Sequence, residues 1–290
     1  MTVARMKILL TGSTGQVGYE LERSLQGLGE VIAVDRSRMD LANLDQVRDV
    51  IRATRPQLIV NPAAYTAVDK AESEPELAHR INAGAPAVMA EEAVLLGAAL
   101  VHYSTDYVFS GSDPTARREN DATGPLNVYG ASKLAGEQAI AASGVAHLIF
   151  RTSWVYGMRG KNFLLTMLRL AKERDELRVV HDQHGAPTWS RTIADTTALM
   201  LAQARAGGPD WWRDNGGTYH LSSQGSTTWF GFTAAILEEA GIACRLLPIT
   251  TDQYPLPASR PQYSALCSDR LQERFACLPE WRDALRLCLR

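Results

Sequence analysis
Short, nearly continuous apolar runs alternate along the first half of the chain with longer stretches in which apolar positions recur at helical spacing. The runs at residues 7–11, 30–34, 58–60, 98–103 and 147–151 predict buried strands, because a strand covered on both faces has no solvent side to make polar. Helical spacing predicts helices through residue 28, over Leu44, Val47, Val50 and Ile51, from about 75 to 96 with a bend near Pro86, and across the Tyr129 region to about 144. Five strand–helix alternations define the fold class: α/β, a Rossmann-type doubly wound parallel sheet.

Beyond residue 151 the pattern loosens. It predicts a helix at 163–173, a strand at 177–180, a helix at 190–204, a loop at 206–209, a strand at 219–221 and an amphipathic helix ending at Ala240. Pro248, Pro255, Pro257 and Pro261 frame the tail, which reads as loops and short helices of a smaller C-terminal substrate-binding domain. The expected division is 1–172 plus about 216–241 for the NAD(P)-binding domain, and about 173–215 plus 242–290 for the smaller one.

The first strand runs directly into Gly12-Ser13-Thr14-Gly15-Gln16-Val17-Gly18 and then a helix. Gly12 permits the tight turn, Gly15 lets backbone N–H groups approach a pyrophosphate, and Gly18 lets the helix pack close to the strand. The second strand ends at Asp35, where a carboxylate accepts hydrogen bonds from an adenosine ribose and repels a 2′-phosphate. That favours NADH over NADPH, although Arg36 and Arg38 follow at once and suit the phosphate. Ligands in open parallel sheets bind beyond the strand C-termini, which puts Thr105, after the fourth strand, at the site.

Tyr129 and Lys133 lie four positions apart, on one face of a helix. A surface helix with a solvated lysine has the same spacing, so the pair gains meaning only from its place after Thr105 and downstream of the glycine turn. There it predicts a phenol poised to protonate a carbonyl oxygen under reduction, with a nearby ammonium drawing its pKa toward the working range.

Composition removes other classes. With 30 basic and 32 acidic residues the net charge is −2, which argues for no nucleic-acid or membrane-surface partner. The four cysteines form no CxxC pair, and no secretory signal precedes them, so a reduced, cytoplasmic protein is expected. No apolar run approaches the ~20 residues of a membrane span. His181, Asp182 and His184 lack a second cluster to complete a metal site, and no GxSxG elbow suggests a serine hydrolase. Trp211 and Trp212 are expected to pack under the smaller domain.

TGSTGQVG, Asp35, STDYVF, YGASK, RTSWVYG, DQHGAPT and ASRP occur in that order, and over almost its whole length the chain resembles the extended short-chain dehydrogenase/reductase family. That resemblance implies NADH or NADPH as cofactor and reduction of the C4 keto group of a dTDP-linked 4-dehydro sugar on the route to dTDP-L-rhamnose. It implies Thr105, Tyr129 and Lys133 as the catalytic trio. Gly12, Gln16, Val17, Asp35, Asp40, Leu41, Ala63, Ala64 and Thr66 match or neighbour cofactor contacts, with Thr14, Gly15 and Gly18 of the turn beside them. Thr105, Asp106 and Trp154 match a nucleotide-sugar site, and Arg260 is a candidate for the pyrophosphate, or an ordinary surface arginine. Some relatives dimerise through carboxylates holding magnesium; Glu20 matches one such position but Arg191 stands where another carboxylate belongs, so no interface metal and a monomer or weak homodimer are expected. The alternatives are another nucleotide-sugar epimerase or dehydratase, and a non-catalytic cofactor-binding subunit. Tyr107 after Asp106 leaves a dehydratase without its acid–base pair, and a binding module has no use for a tuned phenol.

Overall fold
The computed structural model describes residues 5–290, so the first part of the expected leader lies outside the described residues. Six strands form one parallel sheet: β1 (Lys7–Leu10), β2 (Glu30–Ala33), β3 (Leu58–Asn61), β4 (Ala99–Thr105), β5 (His147–Thr152) and a sixth, Gly217–His220. Their order is sixth-β5-β4-β3-β1-β2. The chain leaves β1 toward one edge and, after β2, returns to build β3 on the other side. That reversal opens a crevice above the C-terminal ends of β1 and β3.

Both faces of the sheet are covered, which is why its strands read as unbroken apolar runs. Ile8, Leu10, Val60, Val101 and Phe150 pack on one side with Leu21 and Leu25; Leu9, Ile59, Leu100 and Ile149 pack on the other with Val47, Ile51 and Met89. Successive residues of each strand thus serve opposite cores.

The expected long helix is present, but its irregularity precedes Pro86. Helix Pro75–His79 widens into a π-turn at Arg80–Gly84 and resumes as Ala85–Leu96. Proline has no N–H for the carbonyl one turn back and crowds it, and a wider turn relieves that clash. Gly136 of the Tyr129 helix packs against the carbonyl of Asn82 in this turn, where a Cβ would not fit.

A second core joins Tyr156, Leu164, Met167, Leu177, Val179, Phe232, Ile236 and Leu285. It lies among helices Phe163–Glu173, Trp229–Ala240 and Trp281–Leu289 and the paired parallel strands Glu176–Val180 and Arg245–Ile249. Several segments pack differently from the expected domain division: helix Phe163–Glu173 lies in the second core, Leu271 and Leu278 lie in the sheet's core, and two further helices change places. Helix Ser190–Asn215 carries Ile193, Ala194, Met200 and Leu201 into the sheet's core and packs on helix Gln16–Ser24, whereas helix Trp229–Ala240 belongs to the second core. Neither exchange is visible in helical spacing, which records that a face is apolar but not which core receives it.

The loop expected at 206–209 shrinks to one break, Gly208 at φ 67°, before Pro209 restarts the helix. Trp211 and Trp212 consequently pack beside Tyr219 and Phe275 against the main core, not under the smaller unit.

Candidate active site
Gly12 holds φ +57°, and a Cβ there would lie 2.9 Å from the Cβ of Ala63. Gly18 lies against the carbonyl of Gly12, where any side chain would collide. These two glycines let the start of helix Gln16–Ser24 and the end of β3 close to a backbone-lined cradle, and the helix N-terminus directs its free N–H groups into it. The cradle is one side of a cavity of about 630 Å³.

Among the residues expected at the cofactor, Gly12, Thr14, Gly15, Gln16, Val17, Gly18, Asp40, Leu41, Ala63, Ala64, Thr66, Tyr129 and Lys133 all line this cavity. Asp35 does not. Its Oδ1 turns back to accept from Ser37 N (2.9 Å), Ser37 Oγ (2.6 Å) and Arg38 N (3.3 Å), and these bonds hold the carboxyl below its usual range. The neighbouring Arg36 faces the cavity instead, 3.5 Å from Asp40 Oδ1.

At the other end, the Tyr129 helix, Val128–Ala142, starts at Asn127, whose Oδ1 accepts from Gly130 N (2.8 Å) while its Nδ2 donates to Ser259 O (2.7 Å). One side chain therefore caps the helix and ties the C-terminal loop to it. Tyr129 is half-buried in the cavity wall, edge-on to Tyr107 at 5.8 Å. Burial pushes its phenol up to about 12, against the opposing pull of a hydrogen bond with Thr105. This corrects the expectation that Lys133 lowers it. The Nζ of Lys133 is engaged elsewhere, donating to Tyr103 O at 2.6 Å and lying 3.0 Å from His102 Nε2, and burial brings the lysine itself down to about 8.

Thr105 Oγ1 donates to Asp106 Oδ1 (2.9 Å), and Ser153 Oγ donates to Asp106 Oδ2 (3.0 Å). Asp106 is buried, which raises it to about 6 despite these bonds. Trp154 adopts φ 46°, rare for a bulky residue, with its indole stacked on Trp229 at 3.5 Å and lying against Gly185. Arg260 is half-buried: Nη1 and Nη2 meet Asp69 Oδ1 and Oδ2 at 3.0 and 2.8 Å, and Nη1 also donates to Ala258 O. Its bidentate fork is thus filled by a carboxylate of the segment after β3. Thr105, Asp106, Trp154 and Arg260 do not line the main cavity.

Among the described residues, no cluster of three or more His, Cys, Asp or Glu side chains is placed to hold a metal ion. Arg191 is exposed and pairs with Asp195 at 3.6 Å. His184 stacks on Tyr263, and Asp182 accepts from Thr251, so that histidine loop is built into the protein's own packing.

Sequence reasoning did not single out Ser104 and Thr152. Both hydroxyls are buried, line the cavity and have no partner in the protein. Burying an unpaired hydroxyl costs about 1–3 kcal/mol, so the pair marks a place for a polar ligand group. Together with the glycine cradle and Lys133, they fit a dinucleotide whose phosphates meet the helix start and whose nicotinamide end reaches Tyr129.

A doubly wound sheet, a glycine cradle at its switch point and a Tyr and a Lys of one helix lining the cavity define a dinucleotide-dependent oxidoreductase of the short-chain dehydrogenase/reductase type. The chain belongs to the RmlD substrate binding domain family, whose model matches residues 6–290. It is 49% identical to a dTDP-4-dehydrorhamnose reductase of Burkholderia thailandensis, with 98% of each chain covered, and 48% identical to that of Escherichia coli, with 98% of this chain and 97% of the other covered. Among solved structures it is similar to a dTDP-4-dehydrorhamnose reductase of Bacillus anthracis in complex with NADP (TM-score 0.90, 38% identity, 99% of each chain) and to one of Clostridium acetobutylicum (TM-score 0.91, 37% identity, 98% of each chain).

Proposed function
We propose that the protein reduces the C4 keto group of dTDP-4-dehydro-L-rhamnose to give dTDP-L-rhamnose, using NADH or NADPH. The observation that carries this reading is the meeting of Tyr129, Lys133 and the unpartnered hydroxyls of Ser104 and Thr152 in the glycine-cradled cavity of a chain that matches these reductases end to end. When bound, the reduced nicotinamide supplies the hydride.

The protein's own residues supply the proton and the geometry. A phenol raised to about 12 is fully protonated at neutral pH, so Tyr129 is ready to donate to the oxygen at C4 as negative charge develops there. Thr105, beside Tyr129, orients the carbonyl, and its hydroxyl proton, turned from Asp106 to Tyr129, steadies the phenolate left behind. Lys133 retains one hydrogen beyond those directed at Tyr103 and His102, and offers it to the nicotinamide ribose. Gly12 to Gly18 hold the pyrophosphate. Arg36 at the cavity wall supports use of the 2′-phosphorylated cofactor, while Asp35, turned into its own loop, gives less support to NADH than its position suggests.

Asp106, Trp154 and Arg260 form the sugar-nucleotide side, Arg260 reaching the diphosphate on leaving Asp69. Four free cysteines suit a reducing cytoplasm, and a monomer or weak homodimer without an interface metal remains our reading of the assembly.

The test is to supply dTDP-4-dehydro-L-rhamnose with NADH or NADPH and follow cofactor oxidation, with Tyr129→Phe as control. Turnover by the wild type and a fall of about 10²–10⁴-fold in kcat for the variant are expected. No turnover by the wild type defeats the enzyme reading; full turnover by the variant defeats only the role of Tyr129.

A further inference from the structure
Three polar side chains stand in one row across adjacent strands beneath the cavity. Thr11 follows β1, Asn61 ends β3 and His102 lies directly opposite Asn61 on β4. All three are at most 1% exposed. Thr11 Oγ1 is 2.7 Å from Asn61 Oδ1, Asn61 Nδ2 is 3.1 Å from His102 Nδ1, and His102 Nε2 is 3.0 Å from Lys133 Nζ. The row is continuous and ends on the lysine that reaches the cofactor cavity.

The direction of the donors along this row is coupled to the charge of Lys133. In one direction Thr11 donates to Asn61, Asn61 to His102 Nδ1, and His102 carries its hydrogen on Nε2; Nζ must then accept, as the neutral amine. In the other, the ammonium donates to Nε2, Nδ1–H donates to the Asn61 amide oxygen, and the amide NH₂ donates to Thr11. Asn61 Oδ1 toward Thr11 and Nδ2 toward His102 is the first arrangement; the second follows when the amide turns over to exchange oxygen and nitrogen, the imidazole changes tautomer and the hydroxyl rotates, with no shift of the backbone, so both charge states of Lys133 find every polar atom partnered.

We propose that His102, held by Asn61 and Thr11, is the positioning residue of Lys133: it keeps the lysine aimed at the cavity and supports its charged form there. Tyr103 O fixes a second direction, which leaves the remaining hydrogen of the ammonium for the ribose. The charged groups around the lysine are few. Glu137 on its own helix is neutralised by Arg151 of β5, Asp106 lies beyond Thr105, and Arg36 and Lys161 share the cavity wall. The nearer side chains from the other elements, Thr152, Asn61 and Tyr129, are neutral, so the imidazole is the side chain that, with the Tyr103 carbonyl, directly supports the charge.

The inference rests on Lys133 as the cofactor-holding lysine, but its test needs neither cofactor nor turnover. The chain has only five lysines, so ¹³Cε-lysine labelling with Lys133→Met as the assignment control follows one resonance through a pH titration. Replacing His102 with Leu removes the acceptor and keeps the burial. The Lys133 midpoint is expected to fall by about one unit, a tenfold change in its protonation equilibrium. The alkaline limb of kcat/KM for NADPH should move by the same amount, and His102→Gln, whose amide presents either an oxygen or an NH₂, should restore most of both. Asn61→Leu tests the row from its middle, should His102→Leu fail to fold, and a smaller fall in the same direction is expected. A Lys133 midpoint unchanged in whichever of these variants folds, with only thermal stability lowered, would overturn the proposal and reduce the row to structural packing.

Discussion
The half of the site that we assign to the cofactor and the half that we assign to the sugar are built in opposite ways. The cofactor half is open: backbone at Gly12 and Gly18, small side chains at Ala63 and Ala64, and two hydroxyls awaiting a partner. The sugar half is filled with its own contacts. Trp154 lies between Trp229 and Gly185, Arg260 is gripped by Asp69, and Asp106 is surrounded by Thr105 and Ser153. A preformed cradle binds without reorganisation, whereas a self-satisfied site binds by exchanging internal partners for ligand, and that exchange lowers apparent affinity by its own cost.

The largest effect is expected where the open half is filled. Gly18→Val places a branched side chain on the Gly12 carbonyl, forces the helix start away from the cradle, and should weaken NADPH binding by about 100-fold or more, measured by fluorescence titration. Retained affinity would mean the cradle tolerates a displaced helix and is less rigid than its packing implies.

On the filled half the effect should be smaller and fall on a different parameter. Arg260→Met should raise KM for the dTDP sugar by about tenfold with kcat within a few-fold, since a guanidinium–phosphate grip is worth about 1.5–3 kcal/mol and must first release Asp69. Asp69→Asn loosens the competitor and should lower that KM. If both variants leave KM unchanged, the ion pair only fastens the C-terminal loop to the segment after β3.

The smallest effect is on stability. The carboxyl of Asp106 is raised to about 6 in the folded protein against an ordinary value near 3.8. A group raised on folding contributes stability that is fully present below the unfolded value and is lost as pH climbs through 6. Asp106→Asn removes that loss and should be more stable than the wild type at pH 8 by about 1–2 kcal/mol, after allowing for its weaker hydrogen bonds, with no such gain at pH 4. Urea unfolding at the two pH values reads the difference. A variant less stable at both would show that the bonds from Thr105 and Ser153 outweigh desolvation.

The same division explains what could be read from the chain. β1 to β5, the glycine turn and the Tyr129 helix are local patterns: an apolar run, a turn that only glycine permits, and a four-residue spacing. Each states its structure within about fifteen residues. The exchange of helices Ser190–Asn215 and Trp229–Ala240 between the two cores and the Asp69–Arg260 pair depend on partners far away in the chain, and no local spacing names the partner. The cap of the Tyr129 helix by Asn127 and its second bond to Ser259 were found only in the structure.

By itself the sequence determined the class of fold and the candidate for the proton donor, because glycine's freedom at φ +57° and the Tyr129–Lys133 spacing are properties of residue types and of the helix alone. Only the tertiary structure decided how those groups are tuned. Burial sets Tyr129 near 12 and Lys133 near 8, and Lys133 turns to His102 rather than to the phenol, because β1, β3 and β4 bring Thr11, Asn61 and His102 into one buried row from three distant parts of the chain.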